Sequence, residues 1–231
     1  MKRSKYMKKI GIIGAGFVSQ ACATLFMQAG YQVMLSNSRD KNTLFSVATR
    51  LNCQIGSQEE AIKFADIILI AIPFINYTQL PTELLRGKIV LDATNYYPER
   101  DGHLEQLDKH EITTSELMAK HLNKSKVVKV FNAILAKDVV KDAKPNDQSD
   151  RRAIPIAGND LATKQTVINL LENIGYDYVD VGALSNSWRF ERAKPAYCIP
   201  LNRQQLNDVI AQTTREFEVP HNSWQTNNQQ R

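Results

Sequence analysis

The sequence predicts an α/β fold: a doubly wound, mostly parallel sheet with an extra C-terminal βαβ unit and a short helical tail. Three observations carry this expectation. A strand pattern, a glycine turn and a helix pattern open the chain at residues 10–30. Apolar runs and amphipathic stretches then alternate as far as residue 181. Residues 67–72 form an unbroken apolar run ended by Pro73, as in a central parallel strand covered on both faces.

The opening unit is the most informative. Ile10, Ile12 and Ile13 break at Gly14, Ala15 and Gly16, and a helical pattern runs from Phe17 and Val18 to Ala29, closed by Gly30. This is the order of a dinucleotide-binding βαβ start. Gly14 permits the tight turn. Gly16 lets a pyrophosphate approach the backbone, where a helix start offers N–H groups and partial positive charge. Ser19 replaces the third glycine of the usual pattern and is small enough for close helix–strand packing.

The second strand, residues 31–35, leads into Ser36, Asn37, Ser38 and Arg39, with no acid before Asp40. An NAD site carries a carboxylate here for the ribose 2′-hydroxyl. Hydroxyls, an amide and a guanidinium suit a 2′-phosphate instead, so the expected cofactor is NADP(H).

Further elements follow in order. Residues 43–51 read as a helix, 53–55 as a short third strand, and Ser57 with Glu60 as a capping box before a third helix. Residues 76–85 read as another helix, although Pro81 interrupts it. Residues 89–92 form the fifth strand, 114–121 a short helix and 126–131 the sixth strand. Residues 154–157, 160–174 and 176–181 form the extra strand–helix–strand unit. Ligands bind beyond the carboxyl ends of such strands. That directs attention to Ala71, Ile72 and Pro73, to Asp92 through Asn95, to Phe131, Asn132 and Ala133, and to Ala157 through Asp160. The expected division is a nucleotide-binding unit over residues 1–183 and a partly helical tail over 184–231. The tail is rich in apolar and aromatic residues up to Phe217, and its Asn/Gln-rich end, 225–231, is expected to be disordered.

Composition bounds the function. The chain has 231 residues, 43% of them apolar, and a formal net charge of +5. No run reaches the ~18 apolar residues of a membrane span, and the basic start lacks a signal-peptide pattern. Met7 is a candidate second start, with residues 1–6 a disordered extension. Cys22, Cys53 and Cys198 are scattered, so no metal site is expected and the setting is a reducing, cytoplasmic one. No basic face interleaved with aromatics suggests nucleic acid. The four histidines have no ligand spacing. No catalytic side chain is recognisable. Tyr96, Tyr97, Trp188 and Phe190 are candidates to line an acceptor site, with plain packing as the alternative for each.

Together these blocks resemble the family of NADP oxidoreductases dependent on the deazaflavin coenzyme F-420. The likeness rests on I-G-I-I-G-A-G (residues 10–16), S-N-S-R (36–39), D-A-T-N (92–95), K-V-F-N (129–132), A-G-N-D (157–160) and G-A-L-S-N-S-W-R-F-E (182–191), and spans about residues 8–200. The same fold serves as the reductase domain of membrane metalloreductases. The resemblance implies that Gly14 to Val18 hold the pyrophosphate, and that Ser36, Ser38 and Arg39 hold the 2′-phosphate. It implies that Ala71 to Pro73 flank the nicotinamide-side ribose, and that Asn132, Ala133 and Ile134 lie near the nicotinamide. It implies hydride transfer between NADPH and a small-molecule acceptor such as a flavin or deazaflavin, and a homodimer whose tail shapes the acceptor pocket. A non-enzymatic NADP(H)-sensing module acting through a protein partner is the alternative.

Overall fold

The computed structural model describes residues 9–39, 41–145, 148–220 and 223. Asp40, the extension at residues 1–6 and the tail end at 225–231 lie outside the described residues. One sheet of eight strands runs in the order β3-β2-β1-β4-β5-β6-β7-β8. The strands are β1 (Lys9–Ile13), β2 (Gln32–Ser36), β3 (Gln54–Ile55), β4 (Ile67–Ile70), β5 (Ile89–Asp92), β6 (Lys126–Lys129), β7 (Ala153–Gly158) and β8 (Asp177–Asp180). The first six pair in parallel. β7 turns antiparallel to β6, and β8 returns parallel to β7. The expected doubly wound, mostly parallel sheet with an added βαβ unit is the observed one.

The helices are α1 (Phe17–Gln28), α2 (Phe45–Leu51), α3 (Gln58–Phe64), α4 (Pro98–Asp101), α5 (Glu105–Asp108), α6 (Thr114–His121), α7 (Ala136–Lys141), α8 (Leu161–Asn173) and α9 (Arg203–Gln212). The Ser57–Glu60 capping box forms as read from sequence. Asp160 caps α8 by accepting from the Thr163 N–H. Every residue of β7 is buried, as are Ile68 to Ile70 of β4, which explains their unbroken apolar character.

One expected element is corrected. Residues 76–85 do not form an α-helix: a 3₁₀ helix spans Phe74–Gln79 and turns follow. Pro81 removes a donor and the chain instead buries Leu80 and Leu85, with Phe74 stacked on Tyr77 at 4.8 Å. The tail folds back on the sheet. Phe190, Ala196, Tyr197, Cys198, Leu206 and Ile210 share a buried cluster with Ala133, Ala153, Ala157 and Val179.

Candidate active site

Strand order reverses between β1 and β4, and the crevice of a doubly wound sheet opens at that switch point. The residues beyond these strand ends meet there. The Gly14 N–H donates to Ser36 O (2.9 Å), and the Ala71 N–H donates to Ile13 O (3.0 Å). Gly14 has φ +112°, and a Cβ there would lie 2.2 Å from Ala71 O, so the turn admits only glycine.

Gly16 differs from Gly14. A Cβ built on it meets nothing within 4 Å. Gly16 is the N-cap of α1, no side chain caps the helix, and the space where its own Cβ would stand is open, beside Ala15 and Val18. Phe17 is 83% exposed at its rim. This is the cradle that a pyrophosphate fits: backbone donors, helix polarity and room that a side chain would take. The residues present therefore suit a dinucleotide.

The loop after β2 divides in two. Ser36 is fully buried and its hydroxyl donates to Ile12 O (2.8 Å), so it fastens β2 to β1. Ser38 and Arg39 are exposed. Asn37 is braced in the same loop, donating to Thr43 Oγ1 (2.9 Å) and accepting from the Arg39 N–H (3.0 Å). These three line a cleft with Ser57, Glu59 and Lys63. Glu59 pairs with Lys63, and the Glu60 carboxylate, held on the Ser57 N–H by the capping box, offsets the Arg39 guanidinium in the same cleft.

Across the crevice, β5 and β6 end in a polar lattice. Phe131 takes a left-handed φ of +63° and turns the chain so that Asn132 meets Asn95. Asn95 Nδ2 donates to Asn132 O (2.9 Å), and Asn132 Nδ2 donates back to Asn95 Oδ1 (3.2 Å) and to Phe190 O (3.0 Å). Asn132 Oδ1 is buried with no protein partner. Ala133 and Ile134 are buried, and Ala133 O accepts from the Cys198 N–H (3.2 Å) and from Arg152 Nη2 (3.4 Å). Ala71 and Ile72 are half-buried and Pro73 is exposed.

Beneath this lattice lies a fully buried ion pair that the sequence reading missed. Lys129 Nζ donates to Asp92 Oδ2 (3.3 Å), Thr94 O (2.6 Å) and Thr114 Oγ1 (2.9 Å). Asp92 Oδ1 accepts from the Thr94 N–H (2.9 Å) and hydroxyl (2.7 Å). Thr114 Oγ1 passes its own hydrogen to Glu191 of the tail (2.8 Å). A lysine inside an apolar strand was the available signal.

A cleft of about 460 Å³ adjoins this end, lined by Tyr96, Thr114, Trp188, Glu191 and Arg192 among others. Tyr96 and Trp188 thus share one cleft, whereas Phe190 is fully buried and packs. Beside it, burial pushes the Asp101 carboxyl upward, but the Arg100 fork and the Tyr97 N–H outweigh burial and hold it below its ordinary value. Among the described residues no cluster of His, Cys, Asp or Glu suits a metal ion, and no helix is long and apolar enough to cross a membrane.

Residues 9–96 match the family described as NADP oxidoreductase, coenzyme F420-dependent. The chain is also 29% identical over 204 residues to the metalloreductase STEAP3 of Rattus norvegicus, covering 85% of this chain and 39% of that protein. The chain therefore spans about two fifths of that relative's length. Among solved structures, a hypothetical protein from Sinorhizobium meliloti superposes with TM-score 0.74 at 25% identity, over 86% of this chain and 96% of the other. A protein from Arthrobacter sp. FB24, provisionally described as an F420-dependent NADP-reductase, reaches 0.65 at 22% identity, over 79% and 87%. The latter bears on the fold alone. The chain carries the doubly wound fold of these neighbours, and residues 9–96 carry the match to the NADP oxidoreductase family.

Proposed function

We propose that this protein is an NADP(H)-dependent reductase that moves a hydride between NADPH and a small organic acceptor with a flavin-like ring. The observation that carries the reading is the uncapped, open turn at Gly16 beside a switch-point crevice. Gly14 to Val18 would hold the pyrophosphate. Ser38 and Arg39, braced by Asn37, would hold the 2′-phosphate, with Ser36 behind them as a structural fastener. Ala71 to Pro73 would flank the second ribose, and Asn95 with Asn132 to Ile134 would border the nicotinamide. Bound NADPH would supply the hydride. The chain's own work is then orientation and the exclusion of water.

The acceptor is proposed to enter the cleft between Tyr96 and Trp188, with the tail as one wall and a homodimer as the assembled form. The likeness to a metalloreductase supports metal chelates as a second acceptor class. Stopped-flow oxidation of NADPH with riboflavin, a deazaflavin and ferric citrate separates the classes. Turnover with the ring acceptors supports the reading. Tight NADPH binding without turnover on any of the three would favour a sensing module. Truncation after Gly182 tests the tail: loss of the dimer by light scattering and of turnover is expected, and retention of both would contradict its roles.

A further inference from the structure

One tyrosine stands at the centre of the tail's attachment to the strand ends. The Tyr97 ring lies between two guanidiniums, Arg100 at 4.7 Å and Arg192 at 4.5 Å from its centroid. Each guanidinium is fixed by a two-pronged carboxylate. Arg100 bonds Asp101 at 2.8 and 2.7 Å, and Arg192 bonds Glu99 at 3.0 and 2.6 Å. The Tyr97 hydroxyl sits 2.7 Å from that of Tyr197. Tyr197 in turn receives the Asn95 amide at 3.5 Å, and Asn95 is bonded to Asn132. Tyr96, Pro98 and Arg192, the chain neighbours and one clamp of Tyr97, line the 460 Å³ cleft. Three separate segments thus converge on one half-buried phenol whose two chain neighbours line the cleft.

We propose that Tyr97 is the acid that delivers a proton to the reduced acceptor, which makes the acceptor a conjugated carbonyl or ring-nitrogen compound that takes up a proton with its hydride. This rests on the hydride-transfer reading above. The hydride brings an electron pair to the acceptor ring, and negative charge grows on its conjugated oxygen or nitrogen. That atom takes the Tyr97 hydroxyl proton. The O–H bond breaks, its electrons stay on the phenolate, and water outside the cleft returns the proton.

The surroundings suit this role. Burial pushes the Tyr197 phenol far up, so Tyr197 keeps its own proton. It acts as a hydrogen-bond donor to Tyr97 oxygen, with the Asn95 amide donating behind it. The two guanidiniums pack on the Tyr97 ring, each tied to its own carboxylate, and so fix the ring's position. Tyr197, Arg100 and Arg192 are positioning residues. Plain packing would need neither a hydroxyl pair nor two clamped cations.

The test uses the full-length protein with riboflavin and menadione as probes. In Tyr97→Phe, kcat should fall by about 100-fold or more, with NADPH affinity within about twofold by calorimetry. The solvent deuterium isotope effect on kcat seen in the unmutated protein should vanish. Tyr197→Phe should give a smaller loss and keep the isotope effect. By NMR of ¹³Cζ-tyrosine, without cofactor, it should move the Tyr97 resonance. Unchanged kcat in Tyr97→Phe overturns the assignment, as does a parallel loss of NADPH binding, which would mark a structural role. If the unmutated protein binds NADPH yet reduces neither probe, the hydride-transfer reading fails first and the acid falls with it. An unmoved Tyr97 resonance in Tyr197→Phe overturns the hydroxyl pair itself.

Discussion

The two ends of the crevice are built on different principles. At the β1–α1 turn the backbone makes the shape: a glycine at φ +112° forms the bend, and a second leaves open space at a helix start with no side-chain cap. At the β5 and β6 ends, side chains do it. Asn95, Tyr97, Asn132, Arg192 and Tyr197 come from three distant segments and hold one another in place. A backbone site needs residues that are small, and their position is written locally. A side-chain lattice needs partners from across the chain, and each partner alone looks ordinary.

Lys129→Met should separate the two ends most forcefully. It strands the Asp92 carboxylate in a fully buried position, which costs about 3–5 kcal/mol. Denaturant unfolding should show that loss, and a change under about 1 kcal/mol would mean the pair is solvated. Gly14→Ala should damage the other end at a cost of about 3 kcal/mol, because the new Cβ overlaps Ala71 O at an unfavourable φ. An unchanged Tm would contradict the turn geometry.

Arg39→Ala acts on affinity alone. The unmutated protein should bind NADPH more tightly than NADH, and the variant should lose about ten- to hundredfold of that preference, the worth of a charge-assisted contact. Equal affinities in the unmutated protein would remove the NADP assignment. The smallest effect is chemical. Burial pushes the Cys22 thiol of α1 and the Cys198 thiol of the tail up to about 12, while Cys53 is half-buried. Ellman's reagent should therefore modify Cys53 well before either of the others. Early reaction of Cys198 would show that the tail opens, and early reaction of Cys22 that the α1 side does.

This contrast also explains what was legible in the sequence. The parallel strands showed themselves as apolar runs, and the caps at Ser57 and Asp160 as polar residues ahead of helical patterns. Gly14 and Gly16 marked the turn. Short helices such as α4, α5 and α7 are four to six residues long, too brief for a helical period to register. The antiparallel turn of β7 depends on where a loop lands, which no local pattern encodes. Ser36 read as a phosphate ligand beside Ser38, but the last residue of a paired strand points its hydroxyl at its neighbour. The Lys129–Asp92 pair joins residues 37 positions apart, and only the packed sheet brings them together.

The central claim is that the Gly16 turn holds a dinucleotide, and calorimetric titration of folded Gly16→Val with NADPH tests it most directly. A Cβ there meets no protein atom, so circular dichroism should match the unmutated protein. NADPH affinity should fall by about 100-fold, roughly the loss of a charge-assisted contact to backbone N–H groups. A variant that folds and still binds NADPH with unmutated affinity would contradict the account.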